Sequence, residues 1–139
     1  MPGMAMSPGD LQQQWFERVW NRGEEHMIDE LVDADAIGHG LVDEHGQEVR
    51  GVEALKSFYR GFRETFPDIQ IEIVQSVSEG EWGSVLCRVK ATHLGHAFFG
   101  EPTGKPVEFT GQCMARFRNG KIVESWNHFD FQTVAQQLA

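Results

Sequence analysis

The stretch Val107–Asp130, VEFTGQCMARFRNGKIVESWNHFD, decides how this chain folds. Two runs of alternating side chains flank Asn119 and Gly120, the dipeptide best suited to the type I′ turn of a tight β-hairpin. Upstream, the segment Ile69–Ile73 alternates apolar and polar residues, and the run SVLCRVKATH follows a turn-like SEGEWG. A two-residue period of this kind is typical of β-strands. The sequence therefore predicts a curved antiparallel sheet of four strands.

Helical patterns precede this sheet. SPGD, at Ser7–Asp10, combines an N-cap residue, Pro at the first helical position and an acid three residues after the cap. Apolar residues then recur at helical spacing over Leu11–Trp20, and a short second helix is predicted at Met27–Val32. A third helix is predicted over Val52–Phe66, because Pro67 disfavours helical geometry in the residue before it.

The two remaining segments are predicted to be largely irregular. Residues 33–51 are rich in Gly and Asp, with one brief strand expected at Ile37–Leu41. The loop LGHAFFGEPTGK, residues 94–105, carries two Phe residues that are expected to cover something. The prediction is therefore one α+β domain over residues 1–139, a cone-shaped barrel with its helices packed on the concave face of the sheet.

Bulk composition excludes several classes of function. The 139 residues carry a formal net charge of −9, which repels nucleic acids and anionic membrane surfaces. No apolar run approaches the ~20 residues of a membrane-spanning helix, and MPGMAMSPGD lacks the features of a signal peptide. We therefore expect a cytoplasmic protein. Cys87 and Cys113 are too few for a disulfide framework and are predicted to be free thiols.

The last predicted strand has two faces of different chemistry. Glu124, Trp126, His128 and Asp130 share one face, whereas the other carries Val123, Ser125, Asn127, Phe129 and Phe131. The alternation leaves open which face is inward, and a β-bulge can exchange them midway along the strand. If Asp130 lies in an apolar mouth, desolvation raises its pKa and makes it a proton acceptor, with His128 as its assistant.

Two further histidines are candidate pocket residues. His93 ends the predicted strand VLCRVKATH on its more apolar face, which predicts an inward side chain. His39, in AIGHGL, is either a pocket residue or an ordinary loop histidine. The spacing HLGH is a weak metal motif, and no P-loop, GxGxxG or GxSxG sequence is present, so we expect no metal and no cofactor.

Several motifs together resemble the SnoaL-like polyketide cyclase family, from about Leu11 to the C-terminus. They are VWNRG, FPD, ATHLGHAFFGEPTGKPVEFTG, RFRNGKIVESWNHFD and QQLA. The resemblance implies the nuclear transport factor two-like fold, which ketosteroid isomerase, scytalone dehydratase and limonene epoxide hydrolase share. It also implies ring closure by intramolecular aldol condensation without a metal, and a homodimer.

Carried over by motif, the acid/base role falls on Asp130, and His93 and His128 complete the predicted catalytic set. The predicted substrate-binding residues are His39, Trp15, Trp126, Gln112, Met114 and Phe62. The substrate is expected to be an apolar carbonyl compound that is cyclised or isomerised. Two alternatives stay open: a non-catalytic binding or dimerisation module, and an epoxide-hydrolase-like enzyme with Asn127 and Gln112 near its water.

Overall fold

The structure, a computed structural model, describes residues 6–43 and 45–139. The first five residues of the predicted domain lie outside this part of the chain. The described residues form four α-helices and six strands, in chain order α1 Pro8–Gln14, α2 Met27–Leu31, β1 Val32–Val42, β2 Glu48–Arg50, α3 Val52–Thr65, β3 Gln70–Glu79, β4 Trp82–Thr92, β5 Pro106–Arg118, β6 Lys121–Phe129 and α4 Phe131–Leu138.

The first helix begins at its predicted start. Ser7 and Asp10 form a reciprocal capping box, in which each side chain accepts a hydrogen bond from the other residue's backbone N–H. The helix continues as a π-helical segment over Trp15–Asn21, which the sequence pattern did not distinguish from an α-helix. This segment buries the aromatic side chains of Trp15, Phe16 and Trp20 against the sheet.

The α+β architecture is confirmed, but the sheet is larger than predicted. Its six strands lie in the order β2-β1-β6-β5-β4-β3. β1 pairs parallel with β6, so the expectation of a purely antiparallel, four-stranded sheet is wrong. The Gly- and Asp-rich segment forms β1 because β6 supplies its hydrogen-bonding partner, a contact that local sequence does not encode.

The hairpin of the opening stretch forms as predicted. Asn119 and Gly120 both have positive φ, 55° and 75°, as a type I′ turn requires. Where β5 meets β6, Arg116 lies opposite Glu124 and Phe117 opposite Ile122, which leaves Val123 as an extra residue. This bulge changes which residues of β6 face inward: Ile122 before it, and Ser125, Asn127 and Phe129 after it.

Buried polar groups tie the helices to the sheet. Gln12 is 1% exposed, and its Nε2 atom donates to the carbonyl oxygens of Gly83 in β4 and Cys113 in β5. The Tyr59 hydroxyl of α3 donates to the Val19 carbonyl oxygen at 2.7 Å. At the edge of the sheet, Asn21 exchanges two hydrogen bonds with the backbone of Ile71, at 2.6 and 2.8 Å. These contacts fix the helical layer above the concave face.

Candidate functional site

A cavity lies between the helical layer and the concave face of the sheet. Its open volume is about 70 Å³. Its wall consists of Trp15, Phe16, Trp20, Val32, Ala36, Ile37, Gly38, Leu41, Val49, Leu55, Phe58, Phe62, Ile69, Ile71, Val89, Phe109, Cys113, Ile122, Ser125, Asn127, Phe129 and Phe131. The wall is therefore dominated by aliphatic and aromatic side chains, which suits an apolar occupant.

No carboxylate, imidazole, ammonium, guanidinium or phenol lines this cavity within the described part of the chain. Among the described residues of the wall, the one titratable side chain is that of Cys113. Its burial raises the pKa of the thiol to about 12. A thiol with that pKa stays protonated at neutral pH. As described, the wall offers no group that would take a proton from a substrate at physiological pH.

Two side chains of β6, Ser125 and Asn127, give the cavity its polar groups. The Asn127 amide is 8% exposed, and its Nδ2 atom donates to the His39 carbonyl oxygen and to Ser125 Oγ, each at 3.0 Å. Both amide hydrogens are therefore used, and Oδ1 has no hydrogen-bond partner among the described residues. The Ser125 hydroxyl accepts from Asn127 and keeps its own hydrogen. The pair thus offers a ligand one acceptor and one donor.

The predicted pocket face of β6 is the wrong one. Trp126 and His128 point to the outer surface of the sheet, and His128 is exposed. The sequence-based interpretation placed Trp126 and His128 in the pocket, whereas the partly buried rings of Phe129 and Phe131 line the cavity instead. Because side chains alternate along β6, the inward position of Phe129 places His128 and Trp126 on the outer face.

Asp130 is exposed and begins a helix, so the expected apolar mouth around it is wrong. Its carboxylate accepts from the Thr133 backbone N–H at 3.0 Å and from the Thr133 hydroxyl at 2.6 Å. These two hydrogen bonds lower the pKa of the Asp130 carboxyl, opposite to the predicted rise. The sequence pattern D-x-x-T over residues 130–133 is that of an N-cap, and α4 begins directly after Asp130.

The helix cap at Asp130 makes a testable prediction. We expect Asp130→Ala to lower the melting temperature at pH 7, whereas Asp130→Asn should come close to the wild type, because Asn also caps helices. The lowered carboxyl pKa adds stability above the unfolded pKa that disappears as the pH falls through the folded value. Thermal unfolding of both variants at pH 7 and pH 3 measures this; equal melting temperatures for the two would contradict the capping role.

His39 lies on the outer face of the sheet, not in the cavity. Its Nε2 atom lies 2.6 Å from Glu124 Oε2, its Nδ1 atom lies 3.3 Å from Glu48 Oε2, and its ring stacks on Trp126. The hydrogen bond to Glu124, and then that to Glu48, raise the pKa of the His39 imidazole. The backbone carbonyl of His39 supports Asn127, so the residue is connected to the cavity only through its main chain.

The raised pKa of His39 predicts a pH dependence of stability. Because the folded protein holds this proton more tightly than the unfolded chain, the stabilisation is complete below about pH 6.5 and is lost as the pH rises through the folded pKa. Thermal unfolding should therefore show a lower melting temperature at pH 8.5 than at pH 6. His39→Gln should remove that part of the difference, and His128→Gln, at an exposed position on the same face, should retain it.

The other predicted site residues divide between the two faces of the sheet. Trp15 and Phe62 lie in the cavity wall. Gln112 and Met114 are exposed on the outer face, opposite His128 and Trp126. His93 is buried beneath the loop 94–104 but is not part of the wall. The predicted catalytic set of Asp130, His128 and His93 is thus not brought together, and Ser125 and Asn127 replace it as the polar groups of the cavity.

The fold and the cavity can be compared with known proteins. A family model described as SnoaL-like polyketide cyclase matches residues 10–138. The structure is similar to that of IdmH, a proposed polyketide cyclase from Streptomyces antibioticus, with 28% identity, 96% of this chain and 99% of that chain covered, and a TM-score of 0.81. No curated protein sequence gives a significant match.

Two further structures show how wide the similarity is. AclR, a proposed hydroxylase from Streptomyces galilaeus, is 26% identical with a TM-score of 0.78, over 92% of this chain and 78% of that chain. A SnoaL-like protein from Jannaschia sp. is 19% identical with a TM-score of 0.82, over 98% and 97% of the two chains, and supports the fold alone. The different activities proposed for such relatives mean that function has to be argued from the cavity.

Proposed function

Because this chain belongs to the SnoaL-like polyketide cyclase family, we propose that it encloses an uncharged, apolar carbonyl compound of polyketide type and promotes ring closure within it. One observation carries the proposal. The described residues of the cavity wall are apolar apart from a serine hydroxyl and an amide oxygen, and none of them carries an ionised group. A ligand with matching chemistry has hydrocarbon surface and a few carbonyl or hydroxyl groups.

The absence of charged groups from the described cavity wall also determines which ligands are disfavoured. Moving an ionised group from water into an apolar enclosure is unfavourable unless an opposite charge meets it there. The described wall contains no such charge. A carboxylate or phosphate ester is therefore a poor ligand, and a neutral ketone or enol of the same shape is a better one.

Ring closure in such a cavity rests on folding the substrate. Holding two reacting carbons in contact replaces a rare encounter, and effective molarities of about 10⁵ M are reached in well-oriented cases. The Ser125 hydroxyl donates to a substrate carbonyl and polarises it, while Asn127 Oδ1 accepts from an enol hydroxyl. The enol carbon then bonds to the carbonyl carbon, and the proton passes from the enol oxygen to the former carbonyl oxygen within the substrate.

Asp130 as acid/base is the alternative mechanism. Phe129 and Phe131, its neighbours in sequence, both line the cavity, so a turn of the Asp130 side chain would bring it to the rim. That turn costs both hydrogen bonds to Thr133, and the lowered pKa makes the carboxylate a weaker base. Turnover by Asp130→Asn favours closure without this base, whereas loss of turnover in a folded Asp130→Asn variant favours the acid/base role.

The epoxide-hydrolase-like alternative loses one of its two expected partners. Asn127 lies in the cavity, but Gln112 is exposed on the opposite face of the sheet. The two amides therefore cannot hold one water molecule between them. The binding-module alternative differs from the cyclase by chemistry alone and shares its ligand class.

A pair of nearly isosteric probes tests the proposed ligand class. We expect calorimetric titration to show that 2-acetonaphthone, a neutral ketone, binds at least about tenfold more tightly than 2-naphthoate, its anionic counterpart. Substitution of Leu for Asn127 should weaken the binding of a matched naphthyl alcohol, which donates to Oδ1. Equal affinity for the ketone and the carboxylate, or no binding of either, would overturn the proposal.

A homodimer remains a prediction, supported by the outer face of the sheet. Trp82, Met114 and Val77 expose 40%, 41% and 61% of their surface there. Apolar area of this kind is typical of interaction surfaces. Sedimentation velocity over a range of concentrations tests it, and a sedimentation coefficient of the monomer throughout would exclude the dimer.

In the described residues, no helix is both long and apolar enough to cross a membrane.

A further inference from the structure

The His93 imidazole is fully buried, and its proton can be located from its contacts. Nδ1 accepts a hydrogen bond from the Thr103 backbone N–H at 3.2 Å, and the Thr103 hydroxyl lies 3.1 Å from the same atom. A backbone N–H can only donate, so Nδ1 must be the unprotonated nitrogen. In neutral His93 the ring hydrogen is therefore on Nε2.

The Nε2–H group has no partner. It is buried, and the described residues provide no hydrogen-bond acceptor for it. Unpaired buried donors are rare in folded proteins, because the lost hydration is not replaced, and each calls for an explanation. A donor in this position is suited to an oxygen atom that arrives from outside the protein.

Only a layer of aromatic rings separates His93 from the cavity. Its ring lies 6.0 Å from that of Phe66, which lies 5.2 Å from Phe62 in the cavity wall. The Phe99 ring packs on the same Phe66 ring at 5.9 Å and lies 6.0 Å from that of Phe131, which also lines the cavity. Displacement of Phe99 therefore uncovers one side of Phe66, the ring that contacts His93.

The strap, residues 94–104, is anchored on both sides of Phe99. Leu94 and Gly95 donate to the Thr65 carbonyl oxygen, and Phe98 donates to Thr65 Oγ1. At the other end Thr103 is bound to His93. Phe99 lies between these anchors with a φ of 65°, a left-handed conformation that is disfavoured for a bulky side chain. The contacts of its ring with Phe66 and Phe131 therefore hold Phe99 in a backbone conformation that is unfavourable by itself.

The size of the cavity makes this movement necessary for the proposed ligand. The open volume is about 70 Å³, whereas sites for small molecules usually offer roughly 300–1,000 Å³. A polyketide-sized ligand must displace side chains, and Phe99 is a wall neighbour with a conformation that displacement would relieve. The space that Phe99 vacates adjoins Phe66, whose ring contacts His93.

We propose that a ligand displaces Phe99 and that a carbonyl oxygen of this ligand accepts a hydrogen bond from Nε2–H of His93. The inference rests on the proposed function, since it assigns a second polar contact to the same carbonyl ligand. Ser125 supplies one donor from the sheet and His93 supplies the other from beneath the strap. A substrate with two carbonyl groups is thereby held at two points of its chain.

Two substitutions separate the nitrogen atoms of His93. In His93→Asn the amide oxygen takes the place of Nδ1 and keeps the contact with Thr103, but the Nε2 donor is lost. In His93→Gln the amide nitrogen takes the place of Nε2 and keeps the donor, but the Nδ1 acceptor is lost. A merely structural histidine predicts that the Asn variant behaves like the wild type and the Gln variant does not.

The readout is the carbonyl stretching frequency of bound 2-acetonaphthone labelled with ¹³C at its carbonyl carbon, measured with its affinity. We expect His93→Asn to shift the band to higher frequency and to weaken binding by about fivefold to tenfold, and His93→Gln to leave the frequency near that of the wild type. An unchanged frequency in His93→Asn, with binding retained, overturns this inference alone. Failure of the wild type to bind the ketone overturns the proposed function and this inference with it.

A measurement on the wild type does not depend on the variants folding. With ¹⁵N-labelled histidine, the Nε2 proton resonance of His93 should move downfield when 2-acetonaphthone is added, and stay in place with 2-vinylnaphthalene, which lacks the oxygen. Equal responses to the ketone and the alkene contradict the hydrogen bond. Phe99→Gly, which suits the left-handed backbone and removes the ring, should speed association of the ketone; an unchanged rate contradicts the displacement of Phe99.

Discussion

Gly40→Ala is expected to destabilise the protein by roughly 2–5 kcal/mol. Gly40 has a φ of +81°, and a Cβ atom there would clash with the Asn127 backbone oxygen. The left-handed backbone costs about 1–2 kcal/mol for a residue with a Cβ, and relieving the clash by moving β1 away from β6 adds about 1–3 kcal/mol. The same movement disturbs Asn127, one of the two polar side chains that line the cavity.

Gly46→Ala is the matched control for this substitution. Gly46 has a similar φ of +78°, but a Cβ atom there meets none of the described residues within 4 Å. It therefore carries the backbone penalty of about 1–2 kcal/mol without the clash. Urea unfolding of the two variants gives the cost of the contact as the difference between their free energies of unfolding. Equal losses of stability would show that β1 does not approach Asn127 as closely as the structure describes.

Asn127→Asp is the second substitution with a large expected effect, about 3–5 kcal/mol at pH 8. A carboxylate cannot donate to the His39 carbonyl oxygen or to Ser125 Oγ, as the amide does. It would also place a charge in a cavity whose described wall has no counter-charge. The new carboxyl group should respond to this desolvation with a folded pKa above that of an ordinary Asp.

The sign of the pH effect follows from that raised pKa. Below about pH 3.9 the carboxyl is protonated in both states and carries no charge penalty. As the pH rises, the unfolded chain loses the proton first, so the penalty grows until the pH passes the folded pKa. Asn127→Ala, which loses the two hydrogen bonds without adding a charge, should lose the same stability at pH 5 and pH 8 relative to the wild type. An Asp variant equally independent of pH would contradict an enclosed, apolar cavity.

Local chemistry accounts for the elements that the sequence predicted well. The capping box at Ser7 and Asp10, the apolar stripe of α3 and the Asn119-Gly120 turn each depend on residues close together in the chain. The parallel pairing of β1 with β6 joins residues more than eighty positions apart, such as Ile37 and Glu124. No periodicity within 33–51 encodes that partner, which is why β1 was expected to be brief.

Predicting the candidate site required knowing which face of β6 points inward, and the alternation of side chains does not determine this. Both faces of β6 carry aromatic residues, Trp126 on one and Phe129 on the other, so hydrophobicity did not distinguish inside from outside. The bulge at Val123, which arises from the pairing of β6 with β5, settles the facing. The cap at Asp130 is local, and it starts α4 directly after the strand. Asn127 could have been predicted from the sequence, because it shares the alternation of Phe129 and Phe131, the two aromatic residues that line the cavity.

The exchange of two hydrogen bonds between Asn21 and Ile71 has a consequence for how this protein behaves in concentrated solution. A free strand edge invites another molecule to add a strand and begin aggregation. At the β3 edge the Asn21 amide occupies the positions that a foreign peptide group would take. The opposite edge is β2, which offers only three residues for such pairing. Asn21 thus pairs with the β3 edge at Ile71 as a seventh strand would. We expect this pairing to disfavour aggregation by strand addition at that edge.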